Sequence, residues 1–112
     1  MRELKAAGYR IGILTNMSPE FAPLFRRHFA DFIELGDALV ISGEVGLYKP
    51  QHEIYELLRM RICLPASELV FVDDVEANVR GAEAVGWRAI RFVTNEQVER
   101  DFRQMMSRDG DN

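Results

Sequence analysis

Four apolar residues, Leu69-Val70-Phe71-Val72, run straight into two carboxylates, Asp73-Asp74, and an amphipathic stretch from Glu76 to Val85 follows. A short apolar run bounded by polar residues reads as a buried β-strand, and the stretch behind it as a helix. The pair therefore stands where strand hands over to helix. In open α/β sheets, ligands bind at the carboxyl ends of the strands. Two unit charges about 4 Å apart repel by roughly 4 kcal/mol at an effective dielectric near 20. A close pair of carboxylates thus favours a cation or a raised pKa. The matching cation is a hard one, Mg²⁺, which takes oxygen ligands and keeps several of its waters. Taken alone, the pair fits a plain turn or helix cap equally well.

Two further strand ends shift that balance. Ile11-Gly12-Ile13-Leu14 is a short apolar run ending in Thr15-Asn16. Ala38-Leu39-Val40-Ile41 is another, followed by Ser42-Gly43-Glu44-Val45-Gly46-Leu47-Tyr48-Lys49-Pro50. Strands of a parallel sheet share one carboxyl rim. A hydroxyl with an amide, a lysine and two carboxylates are then expected to converge there. Thr15 and the backbone amides after it can donate to phosphate oxygens, and Lys49 brings a compact positive charge. With Asp73 and Asp74 holding a metal, the three segments read as a phosphate-plus-metal site.

These segments resemble a known family. Ile13-Leu14-Thr15-Asn16, Gly46-Leu47-Tyr48-Lys49-Pro50 and Phe71-Val72-Asp73-Asp74-Val75-Glu76-Ala77-Asn78 look like the second, third and fourth motifs of haloacid dehalogenase-like (HAD) hydrolases, in the family's order. Gly81-Ala82-Glu83-Ala84-Val85-Gly86-Trp87 resembles the helix and glycine behind the fourth motif. The nearest flavour is the branch with the phosphatase domain of soluble epoxide hydrolases and small bacterial sugar-phosphate phosphatases. The resemblance runs over residues 1–95. It implies a three-layer, Rossmann-like parallel sheet flanked by helices and an Mg²⁺-dependent phosphatase acting on a small phosphorylated metabolite. On the matching positions, it implies that Thr15 binds the transferring phosphoryl group and Asn16 helps to orient it. Lys49 would neutralise charge, Asp74 would ligate the metal directly, and Asp73 would act on it indirectly, through water or Lys49.

The departures are equally specific. The family's first motif, Asp-x-Asp-x-(Thr/Val), carries the nucleophile on the first strand, and no Asp-x-Asp occurs before Thr15. The only one is Asp109-Gly110-Asp111 in a polar tail. The cap that normally precedes the second motif is also missing. Arg2-Glu3-Leu4-Lys5-Ala6-Ala7-Gly8 looks like the last turns of the helix before the second motif. The chain is therefore expected to be the C-terminal part of a hydrolase core, lacking the first strand and inactive alone. That strand would lie between the 10–15 and 69–73 strands, and its loss exposes two edges that invite pairing. Three outcomes are open: the two strands close up and pair directly, a second copy or an upstream segment fills the gap, or the fold is only marginally stable. Filling of the gap is the expected one. The alternative is a non-catalytic binding or interaction module derived from such a hydrolase.

Composition narrows the rest. The 112 residues suit one domain, a partial core at 1–107 with a mobile tail at 108–112. Hydrophobic residues make up 47% and charged residues 29%, which is ordinary for a globular protein. A net charge of −4 without a basic cluster argues against nucleic acid. Arg26-Arg27-His28 reads as a solvated helix face. The single cysteine, Cys63, excludes an internal disulfide and suits a reducing, cytoplasmic compartment. Its apolar context predicts a small core residue. No signal peptide or transmembrane run appears.

Element by element, a helix ends near Gly8 and a strand covers 10–15. Ser18-Pro19 predicts an N-cap and first helical position, with the helix reaching Phe29 and Phe21, Leu24, Phe25 and His28 near one face. A strand at 38–41 follows a turn at Gly36-Asp37. Pro50 opens a helix with Ile54, Leu57 and Leu58 inward and His52 on its surface. After a turn at 65–68 come a strand at 69–73, a helix at 76–85 ending at Gly86, and a strand at 88–93. Thr94 with Gln97 predicts a capping box for a last helix to about Met106.

Overall fold

In a computed structural model, which describes residues 2–110, helices and strands alternate along the chain. The order is α1 (Arg2–Ala6), β1 (Gly12–Thr15), α2 (Ala22–His28), α3 (Ala30–Glu34), β2 (Ala38–Ile41), α4 (Ser42–Val45), α5 (His52–Ile62), a 3₁₀ turn (Ala66–Glu68), β3 (Val70–Asp73), α6 (Glu76–Ala84), β4 (Arg88–Arg91) and α7 (Asn95–Gly110). This is the expected α/β class, parallel strands flanked by helices. The chain divides after Pro65 into two units.

In the first unit, β1 and β2 pair in parallel, from Gly12 opposite Ala38 to Thr15 opposite Ile41. Parallel neighbours need a crossover, and α2 and α3 supply it. The core lies on β2 and α5: Val40, Ile41, Ile54 and Tyr55 are fully buried, with Leu58 and Ile62 close behind. Burying one such side chain is worth about 1.5–3 kcal/mol. Asp37 ties the entrance together. Its carboxylate meets Lys5 Nζ at 2.6 Å and accepts the Ile11 N–H at 2.6 Å.

In the second unit, β3 and β4 pair in parallel, from Val70 opposite Arg88 to Asp73 opposite Arg91, with α6 as the crossover. Leu69, Phe71, Val79, Ala82, Trp87 and Ile90 form the core. The Phe71 and Trp87 rings meet edge to face at 6.1 Å, a favoured aromatic arrangement. The capping box forms as expected. Thr94 Oγ1 accepts the Gln97 N–H at 3.1 Å, and Gln97 Oε1 accepts the Thr94 N–H at 3.3 Å. Among the described residues, β1 and β3 each have one hydrogen-bonded neighbour, so the parallel pairing falls into two two-stranded sheets.

Several local expectations are corrected. Ser18 does not cap a helix. Its carbonyl accepts the Phe21 N–H at 3.2 Å in a turn, and α2 starts only at Ala22. The helix also breaks at Phe29, where φ is −115°, before restarting as α3. On that stretch Ala22 is the buried residue, while Phe21, Leu24 and His28 are exposed. On α5 the buried residues are Ile54, Tyr55, Leu58 and Ile62, and Leu57 is only half-buried. Cys63 is exposed. It closes α5 in the left-handed conformation, φ 61°, which turns its side chain out of the core. The last helix continues beyond Met106 to Gly110, so the expected tail shares residues 108–110 with α7, and 111–112 lie outside the described residues. Among the described residues no helix is long and apolar enough to cross a membrane.

Candidate active site

In the first unit, the carboxyl end of β1 delivers Thr15 and then Asn16. Thr15 closes the ladder opposite Ile41 and is half-buried. Asn16 reaches across to Lys49. Its Oδ1 accepts the Lys49 N–H at 2.9 Å, and its Nδ2 donates to the Lys49 carbonyl at 3.2 Å. Thr15, Asn16 and Lys49, which lie apart in sequence, are thereby brought together. Both of these carboxamide bonds go to the Lys49 backbone, so Asn16 acts on Lys49 directly.

The segment before Lys49 is shaped for this meeting. Gly46 ends α4 at φ 73°, a left-handed conformation that glycine adopts without a Cβ penalty. The Tyr48 N–H donates to Gln51 Oε1 at 2.7 Å, and the Gln51 N–H returns to the Tyr48 carbonyl at 2.8 Å. The Lys49–Pro50 peptide is cis.

Sequence reasoning missed Ser42 and Gly43. Ser42 is fully buried, and its Oγ accepts the Met17 N–H at 2.6 Å and donates to the Met17 carbonyl at 3.0 Å. Gly43 lies under the same loop. A Cβ there would stand 2.4 Å from Pro19 N and 2.5 Å from the Met17 carbonyl oxygen. The only signal was position, since both residues directly follow the apolar run of β2. Nearby, Arg26 clasps Glu44 with two 2.7 Å hydrogen bonds between α2 and α4. That contact lowers the Glu44 pKa and raises that of Arg26.

In the second unit, β3 ends in Asp73, followed by Asp74. The Asp73 carboxylate accepts the Val75 N–H at 2.8 Å and an Asn78 Nδ2–H at 3.3 Å. It thus folds back over the start of α6, satisfying donors that a helix N-terminus leaves open. The Asp74 side chain is exposed, while its carbonyl accepts from Arg91 Nε at 3.4 Å. On α6, Arg80 grips Glu76 at 2.8 Å and lowers the Glu76 pKa.

The oxygens of Asp73 and Asp74 have the hardness that Mg²⁺ prefers. Their number does not suffice. Among the described residues, no three His, Cys, Asp or Glu side chains gather to hold one ion, and Asp73 already serves two local donors. The described residues therefore do not make a magnesium sphere by themselves. His52 is exposed beside Glu53, 3.0 Å away.

A family model for haloacid dehalogenase-like hydrolases matches residues 1–86. The chain is 33% identical over 107 residues to the sesquiterpene phosphatase astK of Aspergillus oryzae, covering 95% of this chain and 54% of the relative. It is 35% identical over 102 residues to the ribulose-1,5-bisphosphate 5-phosphatase of Halopiger xanaduensis, covering 88% and 41%. Among solved structures, a HAD phosphatase from Thermococcus onnurineus superposes with a TM-score of 0.73 at 26% identity, covering 84% of this chain and 43% of that one. The chain thus spans about half the length of these relatives or less.

Proposed function

Because the chain belongs to the haloacid dehalogenase-like hydrolases, we propose that it carries the phosphate-binding and acidic parts of a phosphatase site for a small phosphorylated metabolite. The observation that carries this reading is the two-point bridge from Asn16 to the Lys49 backbone beside Thr15. Phosphoryl transfer demands positioning and charge neutralisation more than covalent help from the protein. With the Met17 N–H held by Ser42, the Thr15 hydroxyl and the Asn16 N–H donate to phosphoryl oxygens. The Lys49 ammonium offsets their charge, and Asn16 fixes the backbone from which it extends. Asp74 would ligate and Asp73 would support a magnesium ion completed by groups from outside the described residues, and the ion would supply charge stabilisation. Two relatives named as phosphatases of small molecules support the substrate class.

The absence of an Asp-x-Asp before Thr15 favours a second reading for the 112 residues taken alone, a module that binds phosphate without turning it over. In the first reading an upstream segment or a second copy would supply the nucleophile. The reading places the protein in the cytoplasm, with neither nucleic acid nor membrane as partner.

Titration of the ¹⁵N-labelled chain with inorganic phosphate tests the core of this reading. Resonances of Thr15, Asn16 and Lys49 are expected to move together and saturate. Adding Mn²⁺ is expected to broaden Asp74. Saturable shifts elsewhere, with these residues silent, would sink the proposal.

A further inference from the structure

The β1–β2 ladder ends with Thr15 opposite Ile41, because β2 turns into α4 at Ser42. Beyond that rung the loop at Met17 has no strand opposite it, and buried backbone polar groups require partners. The Ser42 hydroxyl takes the place of the next rung. It accepts from the Met17 N–H at 2.6 Å and donates to the Met17 carbonyl at 3.0 Å, so one side chain satisfies both backbone groups. With 0% of its surface exposed, Ser42 is closed to any ligand. Whatever it does for the site, it does through Met17.

The consequence is geometric. The ladder fixes Thr15, the carboxamide bridge to Lys49 holds Asn16, and the Ser42 hydroxyl holds Met17. Three successive residues are thus restrained from three directions. Gly43 adds a wall, since the loop backbone passes where its Cβ would be. The chain cannot leave β1 along a different path without breaking one of these contacts.

We propose that Ser42 is a positioning residue for phosphate binding, acting through Met17 to aim the Thr15-Asn16 segment. The inference rests on the reading of Thr15 and Lys49 as phosphate-binding groups. Removing the hydroxyl leaves both Met17 groups without their partner and frees the loop. Loss of such a restraint is expected to weaken binding about tenfold, the equivalent of one hydrogen bond to a buried group.

The experiment compares the parent chain with Ser42→Ala by ¹⁵N-resolved phosphate titration and amide hydrogen exchange. In the parent, the Met17 amide is expected to exchange slowly. In the variant it should exchange fast, phosphate affinity should drop about tenfold, and, apart from the neighbours of position 42, shift changes should be confined to the amides of residues 15–18 and 49. Ladder amides of β1 and β2 should keep their protection, which a general loosening of the fold would not allow. Equal phosphate affinity in the two proteins overturns the role of Ser42 and leaves the phosphate reading standing. No phosphate response at Thr15 or Lys49 in the parent overturns the phosphate reading itself. Should Ser42→Ala fail to fold, the parent chain decides: fast exchange at Met17 shows that the hydroxyl holds nothing and overturns the inference, and slow exchange supports it.

Discussion

Asn16 grips the backbone of Lys49 at both its amide and its carbonyl, 2.9 and 3.2 Å away, across 33 positions of sequence. The bridge couples the end of β1 to the loop that opens α5. Asn16→Ala removes both hydrogen bonds. Because the bridge is exposed, a stability loss of about 1 kcal/mol is expected in urea titration. Phosphate response at Lys49 should fall more than that at Thr15. Asn16→Asp keeps the acceptor for the Lys49 N–H, loses the donor, and adds a negative charge. Weaker phosphate binding than in Asn16→Ala, despite the better-preserved geometry, is the expected result.

Gly43 stands under the same loop for steric reasons. A methyl there meets Pro19 N at 2.4 Å, the Met17 carbonyl oxygen at 2.5 Å and Ser18 C at 2.6 Å, all backbone atoms. None of these can rotate away as a flexible side chain could. Gly43→Ala is expected to destabilise by about 1–3 kcal/mol, the usual cost of overpacking. Urea unfolding measures it directly. A neutral substitution would show that the loop yields, and would weaken the case that it is held for function.

The Asp37 contact predicts a pH dependence with a definite sign. The hydrogen bond from Lys5, followed by that from the Ile11 N–H, lowers the Asp37 pKa in the folded chain. A lowered carboxylate contributes stability that is complete above its unfolded value, about 3.9, and is lost as pH falls through the folded value. Asp37→Asn should therefore be less stable than the parent near neutrality, with the gap closing as pH drops below about 4. Urea midpoints measured from pH 6 down to pH 2, in about half-unit steps, should converge. Parallel curves would assign the Asp37 effect to packing rather than charge.

β1, β2 and β3 are legible because each is built on a short apolar run cut off by polar or glycine residues. Ala38–Ile41 was placed residue for residue. The Thr94–Gln97 capping box was equally visible, since its partners are three residues apart. Failures came where a distant contact decides the local path. Ser18-Pro19 has a cap signature, but the loop is drawn under Ser42 and Gly43, 25 residues away for the Met17–Ser42 pair, and α2 starts late. The apolar neighbours of Cys63 hid its left-handed backbone, which decides its exposure. Strand ends and the loop after β2 point to Thr15, Asn16 and Lys49 in the first unit and to Asp73 and Asp74 in the second. The partner of the Asn16 carboxamide and the use of Ser42 were not visible, because hydrogen bonding across a fold leaves no periodic trace.

The 112 residues alone are expected to show no phosphatase turnover above background with generic phosphate esters and Mg²⁺. In the proposed reading Thr15 and Lys49 hold and neutralise a phosphoryl group, but neither is the aspartate nucleophile that the resemblance calls for, and no Asp-x-Asp precedes Thr15. Positioning without a nucleophile leaves the bond-forming step unsupported. A colorimetric phosphate-release assay is sufficient. Robust turnover that disappears in Asp74→Ala would contradict this expectation and point to a replacement nucleophile.

Magnesium binding should be correspondingly weak. The Asp73 carboxylate already accepts the Val75 N–H at 2.8 Å and the Asn78 amide at 3.3 Å, holding the first turn of α6. Recruiting it to a metal competes with those bonds, while Asp74, exposed, is the readier ligand. Mg²⁺ demands near-octahedral geometry and gives up its waters reluctantly. One carboxylate with a reluctant neighbour should therefore yield affinity of about millimolar order or weaker. Isothermal titration calorimetry of the parent, Asp74→Asn and Asp73→Asn separates the contributions. Asp74→Asn should abolish the residual heat without changing stability. Asp73→Asn should leave some binding while costing about 1 kcal/mol in urea unfolding, through the loosened start of α6. Micromolar binding by the parent chain would overturn this assignment and require a further ligand, contributed by a second copy or by groups outside the described residues.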